Sequence, residues 1–371
     1  MFAIDFGARS IKVAKLFKSG SGYELDNYGA TFSPEEGITN GEIINPIAVA
    51  DTLDELLSEI GMRDRRAIVA ITGQKVIVRE IALPLMDDKE LMGGVIWEAP
   101  KYVPYDLDEA IIDAKKIDEF TEKDGNKMMR VLLVATPKNI VKPYMEVLKK
   151  VRLIPKVVDI VSSANIRTFN HYLLDEAEEN KEGSLVNIIL SIGASSTILT
   201  LTEKNRLKFT RDILIGGNDM TKAIAKSLKI EFKEAEKIKR ETEIPFESSI
   251  EEAKEEAKEE AKEEAKEDKK DNESGKNIIK VLNQLTKEVR KSLSYYKTQS
   301  QKVKYHKMIL SGGCANMKNI EKIFAEQFEI PIIVGDPLEG IVIDKNKFDL
   351  KKVNKLKCTL ATVIGLAKRE R

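Results

Sequence analysis

The sequence is poor in the residues that build disulfide frameworks and metal centres. Its 371 residues include two cysteines, two histidines and one tryptophan. Cys314 and Cys358 are too few for a disulfide framework, and they do not form a metal-ligand cluster with His171 or His306. We therefore predict two small buried thiols in a protein of a reducing compartment, which favours the cytoplasm.

Long apolar runs and an excess of one charge are also absent. No run of about 18 apolar residues occurs, so we expect no direct membrane insertion, and the strand-like start favours a chain without a signal peptide. Lys and Arg together number 61, as do Asp and Glu together. No global field therefore favours a nucleic acid or an anionic membrane as a partner.

Strand-like and helical segments alternate along the chain, as in layered α/β proteins, and the length suffices for two domains. MFAIDFG, SIKVAKLF and VLLVAT predict strands, NIVKPYMEVLKKV predicts an amphipathic helix, and Asp-Gly in EFTEKDGNKMMR predicts a hairpin. From residue 184 the pattern restarts with SLVNIILSIG, STILTLTE and RLKFTRDILIGG. This restart indicates a weak internal repeat of a whole domain.

Residues 251–266 repeat EEAK four times. The residues are strong helix formers, but a four-residue period places Glu against Glu and Lys against Lys on the helix surface. With only alanine as an apolar stripe, the tract has little to bury. We interpret it as a solvent-exposed helix or a partly disordered spacer, with a partner-binding arm as the alternative. The following NIIKVLNQLTKEVRKSLSYYKTQ predicts a long amphipathic helix that returns to the core.

Two glycine-tipped hairpins carry the chemistry. Glycine lets a backbone approach a ligand closely, and consecutive N–H groups around such a turn form a nest for an anion. In the first hairpin Asp5 could hold a hydrated Mg²⁺, and Lys12 would place a cation beside phosphates. The residues of the first nest are Gly7, Ala8, Arg9 and Ser10, and those of the second are Gly193, Ala194 and Ser195 with Ser196.

Two further glycine pairs each precede a helix. In MILSGGCANMKNIEKIF an apolar strand leads into glycines that could accept a flat ring or a ribose near a helix N-terminus. The second pair, in IGGNDM, also leads into a helix. The residues of these two motifs are Ser311, Gly312, Gly313 and Asn316, and Gly216, Gly217 and Asn218. Together with the hairpins they predict a nucleotide-binding site.

These motifs resemble the actin/Hsp70/sugar-kinase ATPase superfamily. Within it, the chain is similar to the PilM family, the actin-like proteins of type IV pilus assembly, which are akin to the division protein FtsA. The similar stretches follow the family's order and are IDFGARSIKVAKL, EAPKYVPYDLDEAIID, VLLVATPKNIVKPYMEVLKKVRLIPKVVDI, LKFTRDILIGGNDMTKAIA, FKEAEKIK, ILSGGCANMKNIEKIF and LATVIGLAKR.

The resemblance implies a two-lobed, actin-like α/β fold with ATP and Mg²⁺ between the lobes, and an inserted FtsA-type (SHS2-like) subdomain. The implied division is a first lobe at 1–75 and 154–183, the insert at 76–153, and a second lobe at 184–371. The second lobe would include an accessory subdomain near 218–305, with the EEAK insertion at 245–276, and an adenosine motif at 309–325.

The resemblance also implies roles for single residues. Glu236 and Lys239 match positions that line the ribose and base, with an exposed helix pair as the alternative. Asp159 in VVDIVSSA matches a catalytic, water-orienting position, with a structural helix cap as the alternative. Trp97 in VIWEAPKYVPY is interpreted as a core residue or as part of a groove for a partner peptide.

One departure from the family concerns hydrolysis. The family usually has Asp-Ile-Gly in the second hairpin, whereas this chain has Ser191, Ile192 and Gly193. The missing carboxylate would orient the water or the hydrated Mg²⁺, and positioning supplies most of the catalysis in phosphoryl transfer. We therefore expect ATP binding with weak or absent hydrolysis.

The expected function is that of a cytoplasmic, ATP-binding scaffold of type IV pilus assembly. By resemblance it would hold the cytoplasmic N-terminal peptide of an inner-membrane PilN-like protein, in a groove between the insert and the first lobe. It would thus lie at the inner face of the membrane through this partner. The resemblance also allows pilus motor components and self-association.

Two alternatives stay open. One is an FtsA-like polymerising protein, although the ending LATVIGLAKRER predicts a core helix with a basic tail and not a membrane anchor. The other is a small-molecule kinase, which would need a carboxylate base that neither hairpin offers beyond Asp5.

Overall fold

The structure, a computed structural model, describes residues 1–20, 22–173, 184–245, 267–300 and 303–369. The EEAK repeat at 251–266 and the predicted end of the first lobe at 174–183 lie outside the described residues. Within the described part, no helix combines the length and the apolar character needed to cross a bilayer.

The chain alternates strands and helices from end to end, as the sequence predicts. The strands are β1 (Phe2–Phe6), β2 (Ser10–Ser19), β3 (Gly22–Phe32), β4 (Ile38–Thr39), β5 (Glu42–Ile43), β6 (Arg66–Ile71), β7 (Ile77–Pro84), β8 (Ala110–Thr121), β9 (Lys127–Pro137), β10 (Ile154–Ile160), β11 (Ser184–Ile192), β12 (Thr197–Glu203), β13 (Arg206–Ile213), β14 (Val303–Ser311), β15 (Ile332–Val334) and β16 (Ile341–Val342). The helices are α1 (Pro46–Glu59), α2 (Asp88–Glu98), α3 (Lys138–Lys150), α4 (Val161–Thr168), α5 (Asn170–Leu173), α6 (Gly217–Leu228), α7 (Phe232–Glu241), α8 (Glu267–Gln299), α9 (Ile320–Gln327), α10 (Leu350–Leu356) and α11 (Ala361–Ala367).

Two mixed sheets form the centres of two lobes. The first-lobe sheet has the order β10-β6-β1-β2-β3-β16, and the second-lobe sheet has the order β13-β12-β11-β14-β15. In each, an antiparallel meander (β1–β3 or β11–β13) is extended on one side by parallel strands (β6 and β10, or β14 and β15). The predicted internal repeat is therefore present as a repeated topology.

Local predictions in the insert and in the second half of the chain are confirmed. The hairpin predicted at Asp-Gly joins β8 and β9, and Gly125 has φ +89°, a conformation that glycine adopts without strain. The long amphipathic helix forms the greater part of α8. Its buried Ile278, Leu282, Leu285 and Val289 pack in the second-lobe core. Cys314 and Cys358 are free and buried.

The inserted module is a three-stranded sheet in the order β7-β9-β8, with α2 packed on one face. The predicted boundary at residue 153 includes α3, but the packing differs. Tyr144, Val147 and Leu148 of α3 lie in the same core as Phe2 and Leu53 of the first lobe. The apolar stripe of α3 is buried against this core, so the packed module ends with β9.

The end of the chain also packs differently from the prediction, which assigned all of 184–371 to the second lobe. β16 pairs in parallel with β3, and α11 packs on β1, β2 and α4 of the first lobe. Val363, Ile364 and Leu366 are fully buried with Ala3 and Ile68. The chain therefore crosses back after β15, because the apolar α11 covers a face of the first-lobe sheet.

Candidate nucleotide site and inter-lobe cleft

The first glycine hairpin connects β1 to β2 and is braced from β3. The Gly7 N–H donates to the Ser10 carbonyl at 3.2 Å. A Cβ on Gly7 would lie 2.9 Å from that carbonyl, so the turn needs glycine. Ser33, at the end of β3, donates its hydroxyl to Gly7 O (2.7 Å) and its N–H to Arg9 O (3.1 Å). Ser33 carries no local sequence signal for this role, because only the β2–β3 register brings it to the hairpin.

Asp5 and Lys12 form a cross-strand ion pair below this turn. They are direct partners in the β1–β2 ladder, and Lys12 Nζ lies 2.9 Å from Asp5 Oδ2 and 3.1 Å from Ser10 O. Lys12 is largely buried. The net charge of the pair is close to zero, so Asp5 alone attracts an Mg²⁺ ion only weakly. The attraction is stronger when the ion binds together with negatively charged phosphates.

The second hairpin connects β11 to β12 and rests on the start of α6. Gly193 N–H donates to Ser196 O at 2.9 Å, as Gly7 does to Ser10 in the first hairpin. The carbonyls of Gly193 and Ala194 then accept from Gly217 N (2.9 Å) and Asn218 N (2.7 Å). The two hairpins thus have the same turn geometry, and only the second is held by a helix N-terminus.

These bonds change the interpretation of the Gly216–Gly217–Asn218 motif. The N–H of Gly216 donates to Asp219 Oδ2 at 2.9 Å, so all three amides already have protein acceptors. A Cβ on Gly216 would lie 2.6 Å from Ala194 O, and one on Gly217 would lie 2.7 Å from Cys314 Sγ. The glycines therefore let α6 support the second hairpin, and a contact of this motif with a nucleotide stays a prediction.

The third motif lies beside the second hairpin. Gly312 has φ +85°, and a Cβ there would lie 2.4 Å from Ile192 O, so it allows β14 to approach the end of β11. Ser311 is fully buried, and its hydroxyl has no partner among the described residues. Gly313 and Asn316 bound a short 3₁₀ turn and are exposed. Gly313 and Asn316, with the partly exposed Gly312, are therefore the members of the motif that a ring or a ribose can reach, and Ser311 is not.

Glu236 and Lys239 form a buried cluster under α6 and are not an exposed pair. Lys239 Nζ donates to Gly217 O (3.0 Å), Thr221 Oγ1 (2.8 Å) and Glu236 Oε2 (2.6 Å). Three donors with three acceptors leave Lys239 no free proton for a ribose. Burial alone would raise the pKa of Glu236, but Lys239, Thr221 and Arg9 outweigh burial and lower it.

Arg9 extends this cluster across the cleft between the lobes. Its Nη2 lies 3.8 Å from Glu236 Oε1, and its guanidinium lies 4.8 Å from the centroid of the Phe32 ring. On the other side of the cleft, the backbone N–H of Asn40 donates to Ser195 Oγ at 3.2 Å. Each hairpin therefore contacts the opposite lobe. The Asn40-Gly41 turn between β4 and β5 was missed, although Asn-Gly is a strong turn signal.

Asp212 on β13 forms a further contact between the lobes, which the sequence did not predict. Its carboxylate accepts from Thr72 Oγ1 at 2.9 Å and from the Gly73 N–H. Burial raises the pKa of Asp212, and the two hydrogen bonds offset only part of this effect. Asp212 pairs with Ile198 in the β12–β13 ladder, and Ile198 pairs with Ser191 in the β11–β12 ladder. No local signal marked Asp212, since its partners lie about 140 residues away.

Asp159 has a different environment from the one predicted. Its Oδ1 accepts from the Ile160 N–H at 2.8 Å, and its Oδ2 lies 2.5 Å from both Arg167 and Arg369. The carboxylate is buried, and α4 begins without a side-chain cap. The alternative interpretation as a helix cap is therefore wrong. These ion pairs tie α4 to the chain end, and a catalytic role of Asp159 stays a prediction.

A cavity of about 550 Å³ lies where the inserted module meets both lobes. Three of the strands that line it, β7, β10 and β13, are each the terminal strand of a different sheet. Its lining includes Thr72, Val78, Arg79, Phe209, Asp212 and Tyr295. No hairpin residue lines it, so this cavity and the predicted nucleotide site are distinct. Trp97 is 85% exposed and does not line it either, so its interpretation as a core residue is wrong.

The residues at the hairpins fit an Mg²⁺ ion that binds together with nucleotide phosphates. Among the described residues, no group of three or more His, Cys, Asp and Glu side chains could hold a metal ion by itself. The hairpins offer one carboxylate, Asp5, beside one ammonium group, Lys12. Such a donor set suits a hydrated Mg²⁺ that arrives with phosphates and keeps most of its waters.

Comparison with known proteins agrees with this architecture. A family model described as type IV pilus assembly protein PilM matches residues 3–254, and one described as cell division protein FtsA matches residues 188–365. A solved "PilM-PilN type IV pilus biogenesis complex" superposes with a TM-score of 0.79 at 24% identity, covering 99% of this chain and 97% of that one. Ethanolamine utilization protein EutJ from Carboxydothermus hydrogenoformans superposes with a TM-score of 0.54 at 14% identity, covering 99% and 88%.

These similarities confirm the two-lobed, actin-like α/β fold, and the FtsA match lies in the second half of the chain. The PilM model alone covers about two thirds of the chain. The chain therefore belongs to the family of the type IV pilus assembly protein PilM.

Proposed function

We propose that the chain is an ATP-binding adaptor of type IV pilus assembly that captures an extended peptide of a PilN-type inner-membrane protein. A relative of the same fold is described in a complex with PilN. The observation that carries the proposal is the convergence of three sheet edges on one cavity. Capture of this peptide would hold the protein at the inner face of the cytoplasmic membrane.

The edges of β7, β10 and β13 suit an extended peptide because terminal strands carry backbone groups that a further strand can pair with. The lining alternates apolar side chains, such as Val78 and Phe209, with polar ones, such as Arg79 and Asp212. A peptide with alternating apolar residues would bury these in the cavity, while its backbone supplies hydrogen bonds along one edge.

The nucleotide would bind between the two hairpins, and the inter-lobe contacts would separate it from the peptide cavity. The nests at Ala8–Ser10 and Ala194–Ser196 would hold the phosphates, Lys12 would neutralise them, and Asp5 would orient the waters of a bound Mg²⁺. Bound Mg²⁺ would supply charge neutralisation at the phosphates. Since Ser191 replaces the second carboxylate, we expect the site to hold ATP and to hydrolyse it slowly.

The peptide cavity and the nucleotide site are both connected to the contacts that join the lobes. Thr72 and Asp212 line the cavity and also join the lobes, whereas Arg9 and Ser195 join the lobes at the hairpins. A lobe rotation that a nucleotide favours would therefore change the width of the peptide cavity. Nucleotide and peptide would then alter each other's affinity by the same factor.

The peptide part is tested by calorimetric titration with a synthetic peptide of the first residues of the PilN-type protein from the same organism. Tyr295→Ala removes a half-exposed aromatic side chain from the cavity, and Phe17→Ala removes one of equal exposure elsewhere. We expect at least about tenfold weaker binding for Tyr295→Ala only, as for an aromatic residue at the centre of an interface. Equal binding by both variants and by a scrambled peptide would refute capture in this cavity.

The nucleotide part is tested separately, with Mg-ATP and simultaneous measurement of bound nucleotide and released phosphate. We expect binding that Asp5→Asn and Lys12→Met both weaken, and phosphate release that rises in Ser191→Asp. Absence of binding would overturn the nucleotide part and leave peptide capture intact. Rapid turnover by the unaltered chain would contradict the role given to Ser191.

A further inference from the structure

The inserted module is connected to the first lobe and only touches the second. β6 leads into it through residues 72–76, and β9 leads from it directly into α3. Of its buried apolar side chains, Val78 lies in the first-lobe core, and the others form a core of the module's own. Within the described part of the chain, no side chain of the module belongs to the second-lobe core. The module therefore meets the second lobe without sharing that lobe's core.

Ion pairs make this contact instead. Lys208 on β13 donates to both carboxylate oxygens of Glu80 on β7, at 2.9 and 3.1 Å. Arg206, two residues earlier on β13, donates to the carboxylate of Asp118 on β8. We call Glu80, Asp118, Arg206 and Lys208 the latch. It joins two strands of the module to one edge strand of the second-lobe sheet.

Further charges hold each half of the latch in position. Arg130 on β9 lies 3.0 Å from Asp118 and 3.8 Å from Glu80. Glu203, at the end of β12, lies 3.6 Å from Lys208. The module thus contributes two acids and one base to the network, and the second lobe contributes one acid and two bases. The two halves therefore carry opposite net charges and attract each other.

The latch lies at one end of the cavity between the module and the second lobe. Residues 76–79 and 209–212 line this cavity from the two sides. Glu80 directly follows the first stretch, and Lys208 directly precedes the second. β7 and β13 are terminal strands of different sheets, and no strand ladder joins them. The ion pairs of the latch therefore connect β13 to the module where backbone pairing does not.

Such a contact is easily opened. The four side chains of the latch are 16% to 46% exposed. Ion pairs at this exposure contribute little to stability, and salt screens them. Separation of the latch would leave the second-lobe core intact, because the module does not contribute to it.

We propose that the inserted module is a gate of the cavity. It turns about its two connections to the first lobe, and the latch holds it closed on the second lobe. Movement of the module away from the second lobe separates β7 from β13 and widens the cavity, as in hinge motions of other domains. That the gate admits a peptide rests on the proposed function, whereas the opening of the latch does not.

The opening is measured by electron–electron double resonance between two spin labels. Lys123→Cys, in the turn between β8 and β9, and Lys222→Cys, on α6, place the labels at exposed positions. The chain with only its two buried cysteines gives the background. We expect one distance at about 0.05 M NaCl and an additional longer one at about 0.5 M, since salt screens the latch. Distances that change neither with salt nor in latch variants would overturn the proposal.

Neutral variants of the latch make the measurement specific. Glu80→Gln and Lys208→Met should each populate the longer distance at low salt. Their combination should add little to either, because each alone already removes the pair. Lys116→Met is the control, since it removes an ion pair of 2.6 Å to Glu119 within the module. Equal distances for Lys116→Met and Lys208→Met would show that the latch does not hold the module. Circular dichroism establishes that the variants are folded.

The gate itself is measured by the association rate of the PilN-type peptide in stopped flow. We expect Glu80→Gln and Lys208→Met to bind it at least about threefold faster than the unaltered chain, because a larger fraction is open. Lys116→Met should bind at the unaltered rate. An unaltered rate in variants whose module is open would overturn the gate. Absence of peptide binding by every variant would refute peptide capture, while the distances would still decide whether the latch opens.

Discussion

Replacing Lys239 by methionine removes the cation at the centre of the cluster under α6. The ammonium group donates three hydrogen bonds of 2.6 to 3.0 Å, and the side chains of Lys239 and Glu236 are 8% and 11% exposed. Loss of one partner of a buried pair costs about 3–5 kcal/mol. Glu236 keeps Thr221 at 2.7 Å and Arg240 at 3.1 Å, so we expect a lower cost, of about 2–3 kcal/mol.

The assay is urea unfolding followed by far-ultraviolet circular dichroism. Lys237→Met, at an exposed position of the same helix, is the matched control and should change the free energy of unfolding by less than about 0.5 kcal/mol. In a double-mutant cycle, adding Glu236→Gln should recover part of the loss, because no unpaired charge then stays buried. An equal and small effect of Lys239→Met and Lys237→Met would refute the reasoning.

The pH dependence follows from the lowered pKa of Glu236. A carboxyl whose folded-state pKa is depressed stabilises the fold fully above its unfolded value of about 4.3. This contribution is lost as the pH falls through the lower folded-state value. The difference in stability between the unaltered chain and Glu236→Gln should therefore be largest near neutral pH and shrink in acid.

Three further predictions concern contacts within and between the lobes. Asp212→Asn should gain stability relative to the unaltered chain as the pH rises above about 4, since burial raises the pKa of Asp212, and pH-dependent urea midpoints that run in parallel would exclude this. Tyr144→Phe should cost about 1–2 kcal/mol in urea unfolding, because the buried Gly41 carbonyl loses the hydroxyl at 2.8 Å, and an unchanged midpoint would contradict it. Gly312→Ala should lower the free energy of unfolding by at least about 3 kcal/mol, because Gly312 has a positive φ and an added Cβ would clash with Ile192. Gly20 also has a positive φ but has open space around it, so Gly20→Ala measures the cost of the positive φ alone. Urea or thermal unfolding measures both variants.

Local signals accounted for the secondary structure and for the hairpins of the candidate site. Glycine at a turn between two apolar strands predicts the same local geometry wherever it occurs, and the structure has it at Gly7 and at Gly193. The restart of the pattern at residue 184 likewise predicted the repeated sheet topology. Such signals are readable because alternation and turn chemistry depend on neighbours within a few residues.

Which side chains are buried was harder to predict from the sequence than which segments form helices or strands. Lys239 and Trp97 illustrate the two directions of error: the lysine is buried with three acceptors, and the tryptophan is exposed. Composition indicates how much apolar surface a helix has, but the neighbouring elements decide which of its residues are covered. The same reason explains α3 and α11, whose apolar faces were visible but whose packing partners were not.

By itself, the sequence determined the alternation of strands and helices, the two glycine hairpins, the replacement of a carboxylate by Ser191, and the family. Only the tertiary structure showed that the end of the chain packs on the first lobe. Likewise, only the tertiary structure showed that Asp212 accepts a hydrogen bond from Thr72 across the cleft. It also decided that the Gly216–Gly217 amides support a hairpin. These features depend on sheet register and on contacts between residues far apart in the chain, and no local pattern of side chains encodes which distant surface a segment will meet.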